Sequence, residues 1–297
     1  MINDTTRDEF TLAALSGIFV SLHIFDLQED RLFPIKSNQY IEMWSEGFES
    51  SQEKLRNVMS NVTSEEHLEL ILEFTDLTTL EERMKGQKVV SAVFNGKVNG
   101  WCRARFIKVN DNENEKLRYV LYAVECIDEE KKKENHLLYL SQTDLMTGIY
   151  NCGYGEKMIS ELLETQKEGL FCLFDVDKFK QVNDKYGHIV GDKVLIGIAK
   201  ALQKIKRKND VVMRLGGDEF AAYFADIDSE KSASEIINRF FEEISEIHIE
   251  PMTEGISISL GAILYKGGLT FDSIYKLADR GVYDSKINKG NSYTFQN

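Results

Sequence analysis

Proline is almost missing from the 297-residue chain. Only Pro34 and Pro251 occur, so no Pro-rich linker can mark a domain boundary, which must be sought in charge and periodicity. Cysteine is as sparse. Cys102, Cys126, Cys152 and Cys172 lie far apart in sequence and form no C-x-x-C pair, which leaves a zinc site or disulfide framework without support and fits a reduced, cytoplasmic setting. Basic residues are outnumbered, 36 against 49 acidic, for a formal net charge of -13. Broad attraction to nucleic acid or anionic lipid is therefore not expected, and an anionic ligand needs a local basic site or metal ions. Long apolar runs are lacking too. Leu12 to Phe25 is short and interrupted by Ser16, Gly17, Ser21 and His23, and "MINDTTRDEF" has no basic n-region, so neither a membrane span nor a leader peptide is expected.

What is present suffices for two cores: 42% of residues are hydrophobic and 10% aromatic. "DEEKKKENHLLYLSQTD", Asp128 to Asp144, is charged in its first half and carries Leu137, Leu138 and Leu140 in its second. It reads as a helix leaving one domain and docking on the next, without a sustained heptad. The expected division is 1–127, a helical linker 128–143, and 144–297. In the first part "KVVSAVFNGKVNGWCRARFIKV" and "KLRYVLYAVEC" alternate as three antiparallel strands, with turns at Asn95-Gly96 and Asn99-Gly100. Upstream, "IFVSLHIFDL" reads as one or two strands, followed by segments of helical spacing. This element order resembles a PAS-like sensor domain over roughly residues 10 to 127. His23, Trp44, Trp101 and Cys102 could line a pocket there, although such residues are more often plain core.

In the second part, "GLFCLFDVD" (Gly169 to Asp177) is a continuous apolar run of the kind that forms a strand buried on both faces, and it ends on acids. A helix from about Asp192 to Lys206 and a strand from Val211 to Leu215 follow. Gly216-Gly217 permits a tight hairpin, and "EFAAYF" is the returning strand. "SEKSASEIINRFFEEISEI", "GISISLGAILY" and "TFDSIYKLADRGVYDSKI" complete an alternating α/β order.

Asp175 ends one strand, and Asp218 and Glu219 follow the hairpin turn. If those strands are neighbours, three acids converge at one sheet edge, where they repel and raise one another's pKa unless divalent cations intervene. Mg²⁺ suits such a site because it takes few carboxylates, keeps water, and completes its shell with phosphate oxygens. That is the equipment of phosphoryl or nucleotidyl transfer. The glycines would let a nucleotide lie over bare backbone; the plain alternative is an ordinary hairpin.

"DVDKFKQVNDKYGHIVGD" (Asp175 to Asp192), "DLMTGIYN" (Asp144 to Asn151) and "RLGGDEF" (Arg214 to Phe220) together resemble the GGDEF family of diguanylate cyclases, over about Asp144 to Phe295. The resemblance implies a five-stranded, mainly antiparallel sheet wrapped by helices, related to polymerase palms and nucleotide cyclases. It also implies a homodimer acting on GTP with two Mg²⁺ ions per site, Mn²⁺ being the alternative. Asp175, the Val176 carbonyl and Asp218 then correspond to metal ligands. Asp218 corresponds to the acceptor of the 3′-hydroxyl proton, with Glu219 assisting the metals. Asn183 and Asp192 correspond to guanine readers, and Phe179, His188, Gly216 and Gly217 line the nucleotide pocket. Lys180 and Lys286 correspond to phosphate contacts, Lys180 also stabilising the transition state; without the resemblance each reads as a solvated lysine. Two departures stand out. Cys152 replaces the Arg usual after the opening motif, which puts a local ion pair in doubt. Gly290 stands where a phosphate-binding Arg is usual, leaving Lys289 as a point charge nearby.

"RKND", Arg207 to Asp210, stands five residues before the glycine pair, the spacing of the family's R-x-x-D product-inhibition motif. Arg suits a phosphate or guanine's Hoogsteen edge and Asp accepts from guanine N–H groups, so cyclic di-GMP is the implied inhibitor. The plain alternative is a solvated helix end whose cations complement the dipole. The resulting expectation is a diguanylate cyclase controlled by an N-terminal sensor and by its product. The rivals are a cyclase of mixed dinucleotides, which Asp192 disfavours, and a silent GTP or cyclic di-GMP receptor, which intact Asp175, Asp218 and Glu219 disfavour. A third is a first domain that only dimerises.

Overall fold

The computed structural model describes residues 17–109, 116–165, 168–288 and 290–296. Two compact units emerge, Met1–Asn135 and His136–Asn297. In the first, β1 (Phe19–Asp26) and β2 (Arg31–Lys36) precede α1 (Gln39–Ser45), α2 (Ser51–Val62), α3 (Leu68–Phe74) and α4 (Leu80–Arg83). A meander of β3 (Val89–Gly96), β4 (Gly100–Lys108) and β5 (Tyr119–Cys126) follows. The sheet runs β2-β1-β5-β4-β3, antiparallel throughout. The three expected strands are there, and the Asn-Gly turns close β3 on β4 with Gly96 opposite Gly100.

Pro34 lies in β2, an edge strand where its missing N–H costs no ladder bond. The helices start where side chains take up free amides: Asn38 accepts from the N–H groups of Tyr40 and Ile41, and Ser50 from Gln52. Phe25, Phe106 and Tyr122 pack as rings 4.8 to 6.4 Å apart at the centre of the core. Cys102 and Cys126, distant in sequence, face each other across β4 and β5 as free thiols.

The charged segment forms α5 (Asp128–Gln142), which crosses the boundary between the units. Asp128 anchors its start by accepting the Trp101 N–H at 2.7 Å. None of its residues is buried; Leu137, Leu138 and Leu140 are 66%, 53% and 38% exposed, not docked as the sequence suggested.

The second unit contains β6 (Tyr150–Asn151), α6 (Cys152–Glu164), β7 (Gly169–Val176), α7 (Phe179–Tyr186), α8 (His188–Ile205), β8 (Val211–Gly216), β9 (Glu219–Ala225), α9 (Glu230–Ser245), β10 (Ile258–Tyr265), α10 (Phe271–Ser285) and β11 (Ser292–Gln296). Five long strands and the two-residue β6 are ordered β11-β10-β7-β9-β8-β6. The three central pairings are antiparallel and the two outer ones parallel.

Central β7 explains its own composition. Leu170, Cys172, Phe174 and Val176 pack with Val194, Leu195 and Ile198 of α8 and Phe240 of α9. Phe171 and Leu173 pack instead with Ile159 of α6 and Ile274 and Ala278 of α10. Both faces are covered, so every position is apolar until the strand reaches the sheet edge. Helix α8 starts four residues before the expected Asp192, because Gly187, at φ 83°, ends α7 and turns the chain directly into it.

Candidate active site

Asp175 is the penultimate residue of β7, and sheet register places it opposite Glu219, the first residue of β9. Side chains directly opposite in neighbouring strands share a face, so the two carboxyls meet at one end of the sheet. The β8–β9 hairpin turns through Gly217 and Asp218, with Gly217 at φ 55°, a backbone state that strains any side-chain-bearing residue. The Val176 N–H donates to the Asp218 carbonyl at 3.3 Å, joining this turn to the end of β7. Phe220 is fully buried and stacks on Phe174 at 5.6 Å, which roots the hairpin in the core. Arg214 holds the turn from beneath. Its guanidinium donates to the Gly217 carbonyl at 2.6 and 3.1 Å and to the Asp144 carboxylate at 3.2 and 3.3 Å. Asp144 in turn accepts from the Thr147 amide and hydroxyl. The ion pair doubted because of Cys152 is thus not the one the domain uses near its opening motif.

The electrostatics show an unresolved conflict among acids. Burial first, and then Asp218 and Asp177, push the Asp175 carboxyl above the usual range, while the Lys286 ammonium, 3.1 Å away, pulls it back. Glu219 is raised by burial and by Asp175, Asp218 and Asp279. Lys286, at the end of α10 and expected to meet phosphate, is therefore paired with an acid of the site. Asp177 is committed elsewhere: it accepts from the hydroxyls of Ser257 and Ser259 at 2.8 and 2.7 Å. Nothing in the sequence marks those serines as its partners. Among the described residues no cluster of three or more His, Cys, Asp and Glu side chains could hold a metal by itself. Two carboxylates, Asp175 and Asp218, with the Val176 carbonyl make an incomplete set. It fits an ion that retains water and takes its remaining oxygens from a bound phosphate, and the mutual repulsion of the acids is the charge such an ion would relieve.

A second group of residues gathers at α7 and α8. Lys178 adopts φ 56° at the start of α7, which carries Phe179, exposed Lys180 and Asn183. A Cβ on Gly191 would lie 2.0 Å from Asn183 Oδ1 and 3.2 Å from the Phe179 ring. The bare glycine of α8 thus lets Asn183 and Phe179 settle against the helix immediately beside half-buried Asp192. Exposed His188 is four residues before Asp192, on the same helix face. Lys185 and Tyr186 both hydrogen-bond Glu254, fastening the end of α7. Gly290 has φ 83°, a conformation suited to glycine and not to the expected Arg. Lys289 lies outside the described residues.

Arg207 and Asp210 stand at the turn between α8 and β8. Asp210 is 5% exposed, and its two oxygens accept the Arg207 N–H at 2.6 Å and the Ala225 N–H at 3.0 Å. Its carboxylate fixes the turn and ties it to the end of β9, while the Arg207 side chain is exposed. Short spacing in the sequence gave no hint of the Ala225 bond.

An antiparallel sheet ending in opposed acids, a glycine turn beside them, and an amide and carboxylate gathered on neighbouring helices define the class: a cyclase-type nucleotidyltransferase domain. Residues 141–292, just over half of the chain, match the family described as "Diguanylate cyclase, GGDEF domain", and the chain belongs to that family. Among similar proteins, the "Probable diguanylate cyclase DgcT" of Escherichia coli is 31% identical over 153 residues, covering 50% of this chain and 34% of its own. "Diguanylate cyclase A" of Treponema denticola is 34% identical over 172 residues, covering 54% and 46% respectively. The chain thus spans less than half the length of these relatives. The coiled coil and GGDEF domain of DgcB from Caulobacter crescentus, solved in complex with c-di-GMP, is similar in fold. Its TM-score is 0.51 at 22% identity, with 57% of this chain and 93% of that one covered. No helix among the described residues is long and apolar enough to cross a membrane.

Proposed function

We propose that the second unit condenses two GTP molecules into cyclic di-GMP and two pyrophosphates, working as a cytoplasmic homodimer. The observation that carries this reading is the opposition of Asp175 and Glu219 beside the Gly217-Asp218 turn, with both carboxyls raised and Lys286 alongside. In each half-reaction the 3′-oxygen of one GTP bonds to the α-phosphorus of the other. The α–β phosphoanhydride bond breaks, pyrophosphate leaves with the bond's electron pair, and the hydroxyl proton passes to a carboxylate of the chain. Asp218 at the turn is within the same acid group. Asp218 is the acceptor in this reading, and Glu219, its carboxyl raised by burial and by the neighbouring acids, assists at the metals.

Mg²⁺, held by Asp175, Asp218 and the Val176 carbonyl, would supply charge neutralisation at the phosphates. Lys180 and Lys286 add positive charge around the phosphates, where negative charge accumulates during transfer. Asn183 and Asp192 present an amide and a carboxylate, the groups needed to meet guanine's carbonyl and its N–H donors. The bare Gly217 backbone leaves room for the nucleotide over the turn.

Two regulatory elements complete the reading. Exposed Leu137, Leu138 and Leu140 on α5 provide apolar surface for a second copy, and the first unit, PAS-like in element order, sets how the two copies meet. Arg207, displayed on the turn that Asp210 holds, receives cyclic di-GMP as inhibitor. Incubating the full chain with GTP and Mg²⁺ should yield cyclic di-GMP and pyrophosphate in a ratio of one to two, and Asp175→Asn should yield neither. Binding of GTP without pyrophosphate release would refute the reading in favour of a silent receptor. Incorporation of adenine from mixed ATP and GTP would refute the guanine assignment of Asn183 and Asp192.

A further inference from the structure

The first unit contains a pocket, open at its mouth, lined by β1 and α2 together with parts of the meander. Leu32, Leu55, Val58, Val62 and Val124 make the wall largely aliphatic. Most polar groups on it are already engaged. Asn38 caps α1, the Ser45 hydroxyl donates to the Ile41 carbonyl, and the Tyr122 hydroxyl donates to the Met59 sulfur.

Ser21 and His23 differ. They line the cavity at 3% and 5% exposure, and neither side chain has a partner among the described residues. The sole fully sealed side-chain nitrogen or oxygen without a partner among the described residues is Thr63 Oγ1, so the free polar atoms of Ser21 and His23 open onto the cavity. The two are i and i+2 on β1, on one face and roughly 7 Å apart. Burial drives the His23 pKa down to about 4, so its ring is neutral and offers one N–H. Lys54 of α2, half-buried, lines the same cavity and has no ion pair among the described residues.

A hydroxyl and an imidazole N–H share one face of β1 at an apolar cavity that Lys54 also lines, and burying donors unpaired is unfavourable. The complement is one group rich in acceptors with a single negative charge, attached to an apolar body. A phosphate dianion would bring more charge than one Lys offsets. We infer that this cavity binds a small apolar carboxylic acid whose carboxylate accepts from Ser21, His23 and Lys54. The site is independent of the cyclase reading, since its occupancy is measured without GTP.

Isothermal titration calorimetry of the full chain with octanoate and 4-phenylbutyrate tests it, with octan-1-ol and 4-phenylbutyramide as neutral counterparts. Each acid should bind at one site per chain, about tenfold tighter than its neutral counterpart. Lys54→Met, at a half-buried position that preserves the core, should weaken the acids about tenfold and leave the neutral compounds unchanged. His23→Leu should do the same where circular dichroism shows it folded. Val58→Phe should exclude all four compounds by filling the space. The inference is overturned if neither acid binds at millimolar concentration, if acids and neutral compounds bind alike, if Lys54→Met leaves the acids' affinity intact, or if Val58→Phe still binds them.

Discussion

Replacing Asp210 with Ala should cost far more stability than replacing Arg207, although both belong to one short motif. Asp210 is 5% exposed and accepts two backbone N–H groups, those of Arg207 and Ala225. The Ala225 N–H is buried, so its lost charge-assisted bond is worth about 2 kcal/mol with no water to replace it. The Arg207 N–H lies at an exposed turn and recovers part of its loss from water, leaving about 1 kcal/mol. The sum, ~3 kcal/mol, corresponds to ~6–12 °C in the melting temperature of a domain of this size. Arg207→Ala removes an exposed side chain and should stay within about 0.5 kcal/mol of the parent.

Urea unfolding separates the two units. Both tryptophans, Trp44 and Trp101, belong to the first unit, so their fluorescence follows that unit alone, and the part of the far-UV circular dichroism transition it does not account for reports the second. A loss of under about 1 kcal/mol for Asp210→Ala, or one equal to that of Arg207→Ala, would show that the two bonds do not hold the turn. The result also decides how inhibition is to be probed. An Asp210 variant that loses product inhibition would report a disturbed turn, whereas Arg207→Ala tests the ligand contact alone.

Asp175→Asn should stabilise the metal-free protein at pH 7.5 by about 1 kcal/mol while lowering pyrophosphate release by at least ~100-fold. Because the native carboxyl is raised, its contribution to stability is full below the unfolded value near 3.8 and declines as pH rises through the native one. Calorimetry in EDTA from pH 4 to 8 should show that decline in the parent and a shallower one in the variant. Gly191→Ala should push Asn183 aside, since its Cβ would lie 2.0 Å from Oδ1; steady-state kinetics should show KM for GTP raised about tenfold with kcat nearly unchanged. Phe220→Ala empties a fully buried position stacked on Phe174 and should cost about 3–5 kcal/mol in a denaturant titration.

What could be read from the sequence had local causes. The run Gly169–Val176 is apolar because both faces of β7 are covered, and its end marks the sheet edge, so Asp175 was recognisable as a site residue. The glycine pair forces a turn wherever it occurs, and the meander's alternation needs only neighbouring residues. Other features depend on partners distant in sequence and leave no local trace. Strand β2 was hidden because Pro34 is tolerated only at an edge, a property of the sheet. The parallel pairings of β6 and β11 join segments with no shared pattern. Asp177 looks as available as Asp175 until Ser257 and Ser259 are seen to occupy it. Gly191 makes room for Asn183 and Phe179 through what it lacks, and absence of a side chain on a helix reads as nothing more than weak propensity.

Arg214 connects the entrance of the domain to the turn as well as shaping it. Its guanidinium bridges the carbonyl of Gly217 and the carboxylate of Asp144, which follows the last residue of α5 by only two positions. Under the proposed function, the turn beside which GTP would settle is thus tied to the point where the chain enters the domain. A rotation of that helix end would reach the turn through this side chain with no need to repack the core, so an event at the entrance would be felt at the proposed catalytic edge while the sheet beneath stays folded.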